Sequence, residues 1–182
     1  MKIAYLALFA LLPVAAQELK FPAGLDRLAE KATEVVDVTL DGALLQLASR
    51  FLSDKDADEA KVKKLVGGLK GIYVKSFQFD KEGEYQESDI ASIRAQLKPP
   101  AWSRIVGVHT KKSGDNADVY IAIDAGGQFT GLCILSVEPK QLTIVSIIGS
   151  IKPEDIRQLG GNFGIPKFDI GNIHKGGSSK EE

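Results

Sequence analysis

Four β-rich runs, residues 105–111, 119–124, 129–137 and 142–150, crowd the C-terminal half of the chain. Only the turn signals Ser113-Gly114-Asp115-Asn116, Gly126-Gly127 and Pro139-Lys140 separate them. A parallel crossover needs a dozen or more residues, so connections this short permit only antiparallel neighbours. The spacing therefore predicts a four-stranded antiparallel meander. In the third run Phe129, Gly131, Cys133, Leu135 and Val137 fall on one face, while Leu132 and Ile134 are apolar on the other, which points to a strand covered on both sides.

The N-terminal half has helical periods interrupted by two strands. Leu25, Leu28, Ala29 and Ala32 recur at helical spacing after Pro22, and Val36, Val38 and Leu40 then alternate with Asp37 and Thr39 as a half-buried strand. Leu44, Leu47, Ala48, Phe51 and Leu52 draw an apolar stripe down a second helix. A third helix starts in the Asp-rich residues 54–58, presents Val62, Leu65, Val66 and Leu69, and is broken by Gly67, Gly68 and Gly71. Residues 72–79 read as a strand. Ser88 is the expected N-cap of a fourth helix, with Ile90, Ile93 and Leu97 inward and Pro99-Pro100 as its stop. After the meander, Pro153 opens a last short helix with Ile156 and Leu159 inward, and residues 171–182 form a Gly, Ser and charge-rich tail expected to be disordered. The reading is one α+β domain over residues 17–170: an antiparallel sheet with a C-terminal four-stranded meander, its helices packed mainly on one face.

Residues 1–16 are expected to be a Sec-type signal peptide. Lys2 precedes an apolar run over residues 3–14, and Val14-Ala15-Ala16 sets small residues before Gln17, so cleavage is expected after Ala16. The run is shorter than the ~20 apolar residues that span a bilayer and contains Pro13, so no transmembrane anchor is expected. No lipid anchor is expected either, because the lone Cys133 lies far from the cleavage point. The product would be periplasmic or secreted. With 23 Lys plus Arg against 24 Asp plus Glu among 182 residues, the chain lacks the basic balance of a nucleic-acid binder. One Cys excludes an intramolecular disulfide and a thiolate-rich metal site, and in an exported protein a lone thiol belongs in a core.

No set of residues converges on a catalytic signature, and no catalytic residue, metal site or cofactor is expected. Asp54, Asp56 and Asp58 copy the first three ligand positions of a calcium loop, but Glu59 replaces the turn-making Gly and Leu65 the bidentate Glu. A helix start explains the acids. Gly160-Gly161-Asn162-Phe163-Gly164 follows a helix rather than a strand and lacks the Lys-Ser/Thr of a phosphate cradle. His109 and His174 are the two imidazoles; Asp115, Asp118 and Asp124 lie close to His109 in sequence, where a His–Asp contact across the hairpin costs little. Lys61, Lys63, Lys64, Lys70 and Lys75, balanced by Asp58, Glu59 and Asp80, read as a solvated face. Trp102, after Pro99-Pro100, either plugs the base of the sheet or stands partly exposed as a ligand-binding aromatic with Tyr73, Phe77 and Phe79. With His109 these are the candidate ligand-binding residues.

Trp102-Ser103-Arg104-Ile105-Val106, the hairpin residues Asp118-Val119-Tyr120-Ile121, Gly131-Leu132 and the run 138–151 leading into a short helix to Leu159 resemble the bacterial family called domain of unknown function 4252. The strand and helix over residues 36–52 are also similar to it. The resemblance implies an exported bacterial protein and brings no activity or catalytic residue with it. Relatives often carry a lipid anchor, and this chain lacks the Cys for one. The expected function is a non-enzymatic exported module that binds a protein or envelope component. The alternative is a small-molecule or lipid carrier with a cavity between helices and sheet; an enzyme using His109 with an Asp is a third.

Overall fold

The computed structural model describes residues 19–112 and 114–150. The expected signal peptide, the helix opened by Pro153, the C-terminal tail, the Gly160–Gly164 run and His174 lie outside the described residues. A 3-10 turn, Ala23–Leu25, leads into α1 (Asp26–Ala29). There follow β1 (Glu34–Asp41), α2 (Gly42–Ser49), α3 (Ala57–Gly67), β2 (Leu69–Gln78) and α4 (Glu87–Gln96). The C-terminal half supplies β3 (Ser103–His109), β4 (Asn116–Ile123), β5 (Phe129–Glu138) and β6 (Gln141–Gly149).

The six strands form one sheet in the order β1-β2-β6-β5-β4-β3, every neighbouring pair antiparallel. The expected meander is β3-β4-β5-β6; β2 then joins β6, and β1 joins β2. Strand alternation gives the sheet two apolar faces. On the first, Phe77, Tyr120, Cys133, Leu135, Leu142 and Ile144 pack with Leu25, Leu28 of α1 and Ile90 and Ile93 of α4. On the second, Ile72, Val74, Leu132, Ile134, Val145 and Ile147 pack with Leu45 of α2 and Leu65 and Val66 of α3. The α+β class and antiparallel sheet stand as expected, with α1 and α4 on the first face and α2 and α3 on the second. β5 is buried on both faces, as its apolar pattern indicated.

Local chemistry sets the helix starts. The Asp41 carboxylate accepts the Leu44 N–H at 2.9 Å, so α2 begins directly where β1 ends. The Asp56 carboxylate accepts from Asp58 N and Glu59 N at 2.9 and 3.0 Å and caps α3, which is what the acidic run does. In α4 the cap is Gln86 rather than Ser88: the Asp89 carboxylate reaches back to the Gln86 N–H at 2.8 Å and fixes the start two residues earlier.

Of the stripe expected on α2 most faces outward, and the helix ends at Ser49, so Phe51 and Leu52 lie past it. Gly42, Leu45, Ser49 and Leu52 are the more buried positions, and Leu44, Leu47, Ala48 and Phe51 are exposed. The β1–α2 junction is direct, Asp41 both ending the strand and capping the helix, and the helix that starts there turns Leu45, not Leu44 or Leu47, onto the sheet.

Candidate functional site

The aromatic candidates meet in one place, and that place is the first core. Trp102 is 1% exposed, with its ring against Gly131, where a Cβ would stand 2.9 Å from the Trp102 Cη2. Phe77 and Phe79 are buried in the same cluster, and Tyr73 packs against it, half-buried, with its ring over Gly71. Phe21 lies beside Tyr73, with ring centroids 6.5 Å apart. The plug reading of Trp102 is the geometry found. His109 stands apart from this group, exposed on the outer strand β3, with Nδ1 2.6 Å from Asn116 Oδ1. Its neighbour across the hairpin is thus an amide rather than a carboxylate.

Asp118, one of the acids considered for His109, is instead the centre of an ionic cluster. Its side chain is 1% exposed; Oδ2 receives Arg94 Nη1 of α4 at 2.6 Å and Oδ1 receives Arg104 Nη1 of β3 at 3.1 Å. Arg94 Nε also lies 2.6 Å from Glu87 Oε1. Burial works against the Arg94 charge, but the Asp118 hydrogen bond and the Glu87 carboxylate outweigh it and hold the guanidinium above its ordinary pKa. Beside it the Tyr120 phenol is pushed up, first by burial and then by the Asp118 charge. Two cations face two anions here, so the cluster ties α4 and β3 to β4 and leaves no net charge to attract a ligand.

A shallow groove of about 290 Å³ opens where the residues before α4 meet the β5–β6 turn, lined by Glu82, Tyr85, Glu87, Gly114, Glu138 and Pro139 among others. The Tyr85 hydroxyl donates to the Glu138 and Gln141 carbonyls, and its ring stacks on Phe79 with centroids 5.3 Å apart. Burial, aided by the Glu138 charge, pushes the Tyr85 phenol up to about 12. Burial alone pushes the Cys133 thiol to about 12, so it carries no thiolate near neutrality and is no nucleophile. The groove is a surface feature; between helices and sheet the described side chains pack into the two cores.

Among the described residues no group of three or more His, Cys, Asp or Glu is placed to hold a metal ion. No helix among them is long and apolar enough to cross a membrane. The least expected surface is at α2, where Leu44 and Leu47 are exposed and Phe51, two residues past the end of the helix, is 82% exposed. The Asp118 cluster and this surface were both missed in the sequence. The parity of Asp118 with Tyr120 and Ala122 was the available signal for the first.

Neither a curated protein nor a solved structure matches the chain. The family model for a domain of unknown function, DUF4252, matches residues 29–159, a span that takes in β1 to β6 and the ionic cluster. The chain belongs to the DUF4252 family.

Proposed function

We propose that this domain is a non-catalytic interaction module of the bacterial cell envelope, exported by residues 1–16, that docks a protein partner on the outer side of α2. The observation that carries the reading is the exposure of Leu44 and Leu47 on α2 and of Phe51 just past its end. A helix in a globular domain turns its apolar side to the core, and this one buries Leu45 there while leaving Leu44 and Leu47 to water. Full burial of each such side chain against a partner is worth about 1.5–3 kcal/mol, enough for a few residues to anchor a contact. The ionic cluster and the groove supply no nucleophile paired with a base, which accords with binding rather than turnover.

A photo-crosslinking residue at position 47, used in the source cell, should give a discrete adduct with another protein that Phe51→Ser removes. The same substitution should leave thermal stability almost unchanged, since Phe51 is exposed. The absence of any adduct, or an adduct indifferent to Phe51→Ser, rejects the docking surface. Mass spectrometry of the chain from the envelope should find Gln17 as its first residue; a mature chain still carrying residues 1–16 rejects the export step.

A further inference from the structure

The two edges of the sheet expose similar apolar surface and carry opposite charge. Among the described residues β1 and β3 are the edge strands. Val35 and Val36 of β1 and Ile105 and Val108 of β3 are between 40% and 54% exposed. Around β1, residues 30–41 hold Glu30, Glu34, Asp37 and Asp41 against Lys31. Around β3, residues 103–112 hold Arg104, Lys111 and Lys112 and no acid. Asp37 is engaged by Lys75 at 2.7 Å, Asp41 caps α2, and Arg104 is held by Asp118. Glu30, Glu34, Lys111 and Lys112 are exposed.

Topology decides how these edges can meet. Because six strands alternate in direction, β1 and β3 run opposite ways. A second copy displaced along the sheet therefore sets its β3 antiparallel to the first copy's β1, with like faces aligned. Val38 and Leu40 share the α2–α3 face with Val119, the partner of Val106. Alternation puts Val36 and Val108 on that same face. In this arrangement Glu34, at the start of β1, approaches the end of β3, where His109, Lys111 and Lys112 stand. Pairing two β1 edges, or two β3 edges, would instead oppose like charges. The Lys pair after β3 repels an edge of its own kind and does not repel an acidic one, and the regular stretch past the bulge between Arg104 and Val106 is where a strand can add.

We propose that this domain self-associates head to tail, the β3 edge of one copy adding antiparallel to the β1 edge of the next so that the sheet continues across the contact. Such a contact is heterologous and propagates rather than closing as a two-fold dimer. Backbone hydrogen bonds and the four exposed side chains supply affinity, and the charges supply register and direction. The surface is separate from the outer side of α2, and the inference does not rest on docking there.

Sedimentation of the purified chain over a concentration series tests it. In about 10 mM salt the mass should climb past that of a dimer with concentration, and in about 1 M salt, where screening acts within about 3 Å, it should fall towards the monomer. Lys111→Glu/Lys112→Glu gives a chain acidic at both edges, and Glu30→Lys/Glu34→Lys one basic at β1 as well as β3. Each, checked for folding by circular dichroism, should lose association at least about tenfold alone, and mixing the two should restore it. A chain monomeric at every concentration in low salt overturns the proposal. So does association that persists in either charge variant alone, or a mass that stops at the dimer. Association removed by Phe51→Ser but not by the charge variants also overturns it, since the contact then lies on α2.

Discussion

Trp102 and Gly131 form one fitted pair, since the indole occupies the volume that a side chain on β5 would take. Gly131→Ala is expected to cost about 1–3 kcal/mol by overpacking, measured by urea denaturation, and much of that cost should vanish when Trp102→Phe shortens the opposing ring. Equal losses with either ring would show that the ring is not what the methyl meets. The sequence offered Trp102 two fates because a Trp beside a strand suits a plug and a ligand platform alike; burial is a property of what arrives from elsewhere in the chain. Titration separates the buried groups further. Tyr85 and Cys133 ordinarily ionise near 10 and 9 and are held to about 12 in the folded chain. Below the ordinary values both states keep their protons, and stability is unaffected. From about pH 9 to 12 the unfolded chain ionises first, so stability should fall as pH rises, by at most about 1.4 kcal/mol per unit for Cys133 with a smaller addition from Tyr85. Denaturation midpoints between about pH 8 and 11 check this, and Cys133→Ala should flatten the slope. A wild-type midpoint that stays level across that range contradicts it.

Among the elements, strands were easier to read than helix faces. Period-two alternation and turn residues located all four strands of the meander, because both signals are local. The apolar period locates α2 but not its buried side: the helix starts directly at the end of β1, and that junction, which no periodicity reports, leaves Leu45 inward and Leu44 and Leu47 outward. The acidic run before α3 was legible as a helix start, although only the folded structure singles out Asp56 as the cap. Two backbone N–H groups, from Glu59 and Asp58, hold the Asp56 carboxyl below its ordinary 3.8. Its contribution is therefore present above that value and lost as the pH falls below it. Asp56→Ala should lower the melting temperature near neutral pH more than Asp54→Ala, whose partner is the single exposed-pair contact to Lys63. Asp56→Asn, which keeps an acceptor oxygen, should retain most of the cap and lose its acid sensitivity. Equal effects of the two alanine substitutions would remove Asp56 from the role.

For the molecule as a whole, the fold class was legible because the connections between the last four strands are too short for any other topology. The order in which β1 and β2 join was not, since nothing local ties β2 to β6. The ionic cluster was hidden for the same reason: Arg94, Arg104 and Asp118 lie on three elements that only the assembled sheet brings together. That long-range seam bears on how the chain reaches its native state. The β3–β6 hairpins close over short loops, whereas β2 must find β6 with α4 and the strands β3, β4 and β5 lying between them in the chain, Gln78 opposite Gln141 and Leu69 opposite Gly149. Loop closure of that length costs entropy before any contact repays it. The search for this one seam, between two halves that each hold their own local order, should set the folding rate, and the residues buried along it, Ile72, Val74, Val145 and Ile147, are where the kinetic barrier is decided.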